Sequence, residues 1–161
     1  MSRATELVRT LRLEPHPEGG FFREIHRATG SVHPDDGRGA RSGLTLIYFL
    51  LDAHGHSRWH RVSSDEVWQH VEGAPLELFH LDPALAAHQR MVLGPLDVPG
   101  AQPVRVIPAG HWQAARTTGD YTLVACAVGP GFDFADFAML ADHPADAEGV
   151  RRRFPDAAVL I

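Results

Sequence analysis

The sequence predicts an all-β sandwich or barrel with short helices near its two ends. Many short apolar segments alternate with polar positions, turn-forming pairs such as Asp-Pro, Gly-Pro and Pro-Gly separate them, and helical periodicity is confined to the ends. Two Greek keys closed into a jelly roll suit this number of strands. Such a barrel can hold a ligand cavity between its sheets.

Local sequence patterns predict the position of each helix and strand along the chain. Residues 4–12 have an amphipathic pattern and predict a short helix. Prolines and glycines then exclude regular structure up to residue 21, and residues 30–42 are predicted as an exposed loop. Strands are predicted where apolar and polar residues alternate, or where aromatic and β-branched residues are frequent. These segments are 21–27, 44–51, 59–62, 66–72, 76–81, 91–93, 104–107, 111–116, 121–128 and 132–140. Residues 143–154 predict a helix capped by Asp142.

Length and composition limit the class of protein. A chain of 161 residues predicts one domain over 1–161, with a barrel core at about 19–140. A net charge of −5 gives no reason to expect nucleic acid or an anionic membrane as a partner. The N-terminus lacks the apolar stretch of a signal peptide, and the run at 44–51 is too short to cross a bilayer. We therefore expect a cytoplasmic protein.

The segment at 55–73, GHSRWHRVSSDEVWQHVEG, carries the most chemical information. It predicts two adjacent strands joined by a turn at residues 63–65. Residues two apart on a strand share a face, so Glu66, Trp68 and His70 point the same way, and His60 is expected to face Glu66 across the hairpin. An acid, a base and an indole around one concavity are typical of a small-molecule site.

These residues resemble the signatures of the cupin superfamily. Gly55, His60, Val62, Glu66 and Gly73 match the order of the first signature, which is a glycine, His-x-His, a glutamate and a glycine. The segment at 108–113, PAGHWQ, resembles the second signature, Pro-x-Gly-x-x-His.

The chain is most similar to one small, poorly characterised branch of that superfamily. The blocks PHPEGG at 15–20, SDEVW at 64–68 and PGF at 130–132 carry this similarity. The resemblance implies a cupin-type jelly roll, also called a double-stranded β-helix, that forms a homodimer. It also implies a sugar-epimerase-like or ligand-binding role in the barrel.

Two positions depart from the metal site that the resemblance implies, which usually has three histidines and a glutamate. Val62 stands at the second histidine position and Gln113 at the last. Valine cannot bind a metal, and glutamine binds transition metals weakly through its carbonyl oxygen. The implied ligands are then His60, Glu66 and Gln113, with His70 as a replacement. One divalent ion (iron, manganese, nickel or zinc) and a metal-free pocket both remain open.

Several functions remain open for this pocket. In an isomerase or epimerase acting on a sugar or keto compound, His60, Glu66 and His70 would be catalytic, because a histidine near neutral pKa can take a proton next to a carbonyl. The alternatives are a non-catalytic ligand-binding or sensing protein and a metal-dependent oxygenase. In each case the partner is a small molecule, and the predicted ligand-binding residues are Glu24, Tyr48, Trp68 and Gln113.

Overall fold

The computed structural model describes residues 2–161 as two facing β-sheets with helices at the two ends. The helices are α1 (Arg3–Leu11), α2 (Pro144–Arg153) and α3 (Pro155–Ala158). The strands are β1 (Glu14–Pro15), β2 (Phe21–Arg27), β3 (Ser31–Val32), β4 (Arg41–Ser42), β5 (Thr45–Asp52), β6 (Ser57–Val62), β7 (Asp65–Gly73), β8 (Leu76–Leu81), β9 (His88–Leu93), β10 (Ala101–Gln102), β11 (Val104–Ile107), β12 (Trp112–Thr117), β13 (Tyr121–Gly129) and β14 (Phe137–Met139).

Each large sheet has six strands. Sheet I has the order β1-β2-β5-β13-β7-β11, and sheet II has the order β10-β9-β8-β12-β6-β14. All neighbours within them are antiparallel except β9 and β10. A separate ribbon pairs β3 with β4. The predicted all-β architecture with terminal helices is therefore confirmed.

The core has three parts because each sheet buries both of its faces in places. Side chains of both sheets meet between them, among them Phe49, Trp68 and Leu78. The outer face of sheet II packs under the C-terminal helices around Trp59 and Trp112. The outer face of sheet I packs against α1. None of the helices within residues 2–161 is long and apolar enough to cross a membrane.

The predicted hairpin of residues 59–72 is wrong. Strand β6 pairs with β12 and β14 in sheet II, whereas β7 pairs with β13 and β11 in sheet I. The turn at Ser63 and Ser64 thus carries the chain from one sheet to the other. The alternation of inward-facing and outward-facing residues along each strand is the same in a hairpin and in a connection between two sheets. The sequence pattern therefore did not distinguish the two.

Three local predictions also need correction. Asp142 does not cap α2, because His143 is the N-cap residue and makes no side-chain capping bond, while residues 140–142 form a short 3₁₀ helix. The loop at 30–42 contains the β3–β4 ribbon. The last predicted strand, 132–140, consists of a 3₁₀ turn (Phe134–Asp136) followed by the short β14.

Candidate active site

A cavity of about 290 Å³ lies between the two sheets. Its wall is largely apolar and aromatic, and a few ionisable side chains interrupt it. The ionisable residues that line it are His16, Glu18, Glu24, Arg27, His60, Glu66, Cys126 and Asp133. An apolar cavity with a few convergent polar groups is the usual form of a small-molecule site.

His60 projects into this cavity from β6 of sheet II and is 2% exposed. Its Nδ1 lies 2.7 Å from the carbonyl oxygen of Arg58, and a carbonyl can only accept, so Nδ1 carries a proton. Its Nε2 lies 3.1 Å from Oε2 of Glu18. A single proton therefore joins Nε2 of His60 and Oε2 of Glu18.

Glu18 reaches His60 because a tight loop at residues 15–20 turns into the barrel. The N–H of His16 donates to the carbonyl of Gly20 at 3.0 Å, and the N–H of Arg58 donates to the carbonyl of Glu18 at 2.8 Å. Gly19 has φ +110°, and a Cβ there would lie 2.2 Å from the carbonyl oxygen of His56. Only glycine fits at that position, which explains the Glu-Gly-Gly order.

Burial favours neutral forms of the Glu18–His60 pair. Desolvation raises the pKa of Glu18 to about 8, although Ser57 donates a hydrogen bond to its Oε1 at 2.8 Å. Desolvation also lowers the pKa of His60. At neutral pH the shared proton therefore resides on the Glu18 carboxyl, which donates to the imidazole.

His16 forms a further wall of the same site. Its Nδ1 accepts from the backbone N–H of Glu18 at 3.3 Å, and its ring meets that of Phe22 edge-on at 4.6 Å between centroids. Burial first and the nearby His60 second lower the pKa of His16 to about 4, so it is neutral at physiological pH. It therefore adds no positive charge to the cavity.

Glu66 enters the cavity from the opposite sheet, on β7. Its Oε2 accepts from Nε2 of Gln113 at 2.6 Å, and Oε1 of Gln113 accepts from the indole N–H of Trp68 at 2.9 Å. Desolvation raises the pKa of Glu66 to about 7, against the opposing influence of His60. Glu66 and the Glu18–His60 pair thus approach the cavity from different sheets.

An aromatic segment and an ion pair close the rest of the cavity. Phe132, Phe134 and Phe137 pack edge-on, with centroids 4.9 to 6.1 Å apart. Arg27 donates to both carboxylate oxygens of Glu24, at 2.9 and 2.7 Å, and to the carbonyl of Phe132 at 3.1 Å. The ion pair thereby joins β2 to the aromatic segment.

The structure brings together some of the predicted residues and separates others. Glu24, His60, Glu66 and Trp68 line the cavity, and Gln113 lies behind Glu66. His70 does not line it, because its Nε2 is 3.2 Å and 3.3 Å from the carbonyl oxygens of residues 73 and 74. The register shift between β13 and β7 follows immediately after His70.

Tyr48 also lies away from the cavity. Its neighbours on β5, Ile47 and Phe49, line the cavity, so Tyr48 points to the other face of sheet I and packs in the cluster under α1. Conversely, sequence reasoning interpreted residues 18–20 as a turn and did not include Glu18 or His16 in the site. The PHPEGG block could have indicated them, because it places a histidine and a glutamate among prolines and glycines, which hold the backbone in a tight loop.

The side chains present do not fit the metal site that the resemblance implied. Gln113 offers its amide nitrogen to Glu66, and its oxygen is occupied by Trp68. Nε2 of His60 is engaged by Glu18. No group of three or more His, Cys, Asp or Glu side chains within residues 2–161 is arranged to hold a metal ion. The set of His60, Glu66 and Gln113 is thus a hydrogen-bonded arrangement in this structure.

The fold and site place the chain in the cupin class, and comparison with known families agrees. The model described as Cupin superfamily (DUF985), Cupin_5, matches residues 5–140. The chain belongs to this family, which confirms the resemblance drawn from its motifs. None of the curated proteins gives a significant match.

Solved structures show the same similarity over nearly the whole chain. A hypothetical protein from Leishmania major has 28% identity and a TM-score of 0.85, with 99% of this chain and 97% of that one covered. A protein from Shewanella oneidensis has 30% identity and a TM-score of 0.82, covering 99% and 95%. An oxalate decarboxylase from Bacillus subtilis has 13% identity and a TM-score of 0.59, covering 88% and 34%, and shows the fold alone.

Proposed function

We propose that this cupin catalyses proton transfer on a small organic molecule bound in its cavity, in the manner of an isomerase or epimerase. The observation that carries the proposal is the Glu18–His60 pair, whose Oε2 and Nε2 are 3.1 Å apart in the wall of the cavity. Buried acid and base groups with displaced pKa values are concentrated at catalytic sites.

The pair can supply both the acid and the base of an enolisation. The carboxyl of Glu18 gives its proton to the carbonyl oxygen of the substrate, and Nε2 of His60 takes a proton from the adjacent carbon. The number of protons on the pair is unchanged, and it becomes a carboxylate beside an imidazolium. For a hydroxyketone, His60 then gives its proton to the neighbouring carbon while the Glu18 carboxylate takes the hydroxyl proton of the first carbon, which gives isomerisation and restores the pair. Epimerisation requires in addition a proton donor on the other face of the first carbon, because His60 alone returns the proton to the face it came from.

The surrounding groups support this chemistry. The carbonyl of Arg58 fixes the tautomer of His60, and Ser57 holds the Glu18 carboxyl through the oxygen that does not face His60. The aromatic wall excludes water, which strengthens electrostatic interactions within the cavity. Non-catalytic binding remains the alternative function, because an aromatic cavity can retain a ligand without reaction.

Deuterium exchange tests the proposal without knowledge of the natural substrate. The protein would be incubated in deuterium oxide with small carbon acids, namely hydroxyacetone, dihydroxyacetone and aminoacetone, and the loss of C–H signals followed by proton NMR. We expect catalysed exchange with at least one compound. His60→Ala and Glu18→Gln should each slow it by about 100-fold or more.

His70→Ala is the matched histidine control, because this side chain binds backbone carbonyls outside the cavity. It should retain the wild-type exchange rate. Loss of exchange in both His70→Ala and His60→Ala would favour the catalytic set predicted from the sequence, and an unchanged rate in His60→Ala would contradict the site proposed here. Absence of exchange with every compound would favour the non-catalytic alternative.

A further inference from the structure

Acidic side chains outnumber cationic ones in the wall of the cavity. Four carboxyl side chains line it, those of Glu18, Glu24, Glu66 and Asp133, against the single guanidinium of Arg27. Both carboxylate oxygens of Glu24 are already bound to Arg27, so this cation is not available to the deeper groups. An anionic ligand would therefore find no free guanidinium among the described residues that line the cavity.

Glu66 is the carboxyl group that most clearly lacks a cationic partner. It is 7% exposed, and Gln113 donates to one of its oxygens. Within residues 2–161 its carboxyl also accepts a hydrogen bond from the thiol of Cys126, and neither this thiol nor the Gln113 amide carries a positive charge. A buried carboxylate is costly unless a charge opposes it, so Glu66 is prepared for a positive group supplied by a ligand.

The aromatic side chains that enclose the cavity favour the same kind of ligand. Trp68 lies beside Glu66 on β7, and Phe22, Phe132, Phe134 and Phe137 form the surrounding wall. The faces of such rings carry partial negative charge and attract organic cations, most strongly where water is excluded. Aromatic rings around an unpaired carboxylate are the arrangement by which proteins recognise ammonium groups.

We propose that the cavity binds a small organic ammonium compound, with its cationic group between Glu66 and the aromatic wall. This inference deepens the proposed function, on which it rests for the use of the same cavity: Glu66 holds the cation, while the Glu18–His60 pair faces the reacting carbon from the other sheet. It narrows the substrate class from keto compounds in general to those that bear an ammonium group.

Choline and its neutral isostere dimethylbutanol, in which a quaternary carbon replaces the nitrogen, form the test pair. Their binding to the wild-type chain would be measured by titration calorimetry at neutral pH and low salt. We expect choline to bind at least about tenfold more tightly than the isostere. Dimethylbutanoate, the anionic counterpart, should not bind.

Glu66→Gln is the test variant and Glu72→Gln its matched control, since Glu72 lies on the same strand but pairs with Arg3 at the surface. Glu66→Gln should weaken choline binding by about tenfold or more, and Glu72→Gln should leave it unchanged. Equal affinity for choline and the isostere, or no choline binding at about 10 mM, would overturn the inference, and both results come from the wild-type protein.

These results are separable from failure of the proposed catalysis. Choline has no acidic C–H next to a carbonyl, so its binding does not depend on proton transfer. Choline binding without deuterium exchange would support the ammonium site and reject the catalytic role. If the protein catalyses deuterium exchange into hydroxyacetone but binds choline no more tightly than dimethylbutanol, the catalytic role is supported and the ammonium site is rejected.

Discussion

Gln113 is fully buried between two groups that need opposite hydrogen-bond partners. Its amide nitrogen donates to Glu66, and its amide oxygen accepts from the indole of Trp68. Glutamine is well suited to this position, because one planar group supplies both a donor and an acceptor. Its role at the residue scale is therefore to fix the orientation of a carboxylate and an indole in the wall of the cavity.

Replacement of Gln113 by alanine should lower the free energy of unfolding substantially. The indole N–H of Trp68 and one oxygen of Glu66 would lose their partners in a buried site, and each unsatisfied group costs about 1–3 kcal/mol. Gln69→Ala, at an exposed position of β7, is the control and should change stability by less than about 0.5 kcal/mol. Urea denaturation measures both, and similar losses in the two variants would contradict this role.

At the scale of elements, a buried ion-pair cluster attaches the β3–β4 region to the aromatic segment. Both carboxylate oxygens of Asp136 bind guanidinium groups: Arg41 at 2.7 and 2.8 Å, and Arg38 at 3.0 Å. Arg38 also donates to Ser64, in the turn between the sheets. The side chain of Asp136 is 6% exposed, so these bonds are little weakened by solvent.

Asp136→Asn should loosen the aromatic segment without unfolding the barrel. The substitution removes the charge that two arginines share, which leaves Arg41 partly buried without a counter-ion, while Arg38 retains its ion pair with Asp36. We expect faster amide hydrogen exchange over residues 132–139, with the exchange of β5 and β13 unchanged. The control is Asp35→Asn, an exposed aspartate in the loop between β3 and β4 that also carries Arg38. Uniformly faster exchange across both sheets would show instead that the cluster supports the whole fold.

At the scale of the whole molecule, the buried acids make stability depend on pH. The folded pKa of Glu18 is about 8 and that of Glu66 about 7, against an ordinary value of 4.5. Between the ordinary pKa and the folded pKa, each carboxyl group keeps its proton in the folded protein but loses it in the unfolded chain. Both groups therefore lower the free energy of unfolding as pH rises. His16, whose folded pKa is about 4, has the opposite effect around its ordinary pKa of 6.5. The same holds for the other histidines whose pKa burial lowers, His56, His60, His80 and His88.

Comparison of the wild type with Glu18→Gln from pH 6.5 to about pH 8 therefore isolates the contribution of Glu18, because the other histidines and acids are common to both proteins. We expect the melting temperature to fall across this range. In Glu18→Gln the fall should be shallower, because a group that cannot ionise no longer favours the unfolded chain at higher pH. Differential scanning calorimetry at constant ionic strength measures both proteins. An equal dependence of melting temperature on pH in the wild type and in Glu18→Gln would contradict the burial of Glu18 as a neutral group.

The sequence by itself determined the class of fold and the limits of most strands. Alternation and turn residues are local properties, so strands such as β2, β8 and β11 were predicted within a residue of their ends. Motif order also determined the cupin family and placed His60 and Glu66 at the site. The homodimer that the family resemblance implies stays a prediction.

The tertiary structure decided which residues meet. Local patterns carry no information on which strand pairs with which, so they placed β6 and β7 in one hairpin although each belongs to a different sheet. His70 and Tyr48 were predicted to contribute to the pocket, but His70 binds the backbone carbonyls of residues 73 and 74, and Tyr48 lies on the opposite face of sheet I. Glu18 reaches His60 across more than forty positions of sequence only because the loop before β2 folds into the barrel, and that contact exists only in the assembled molecule.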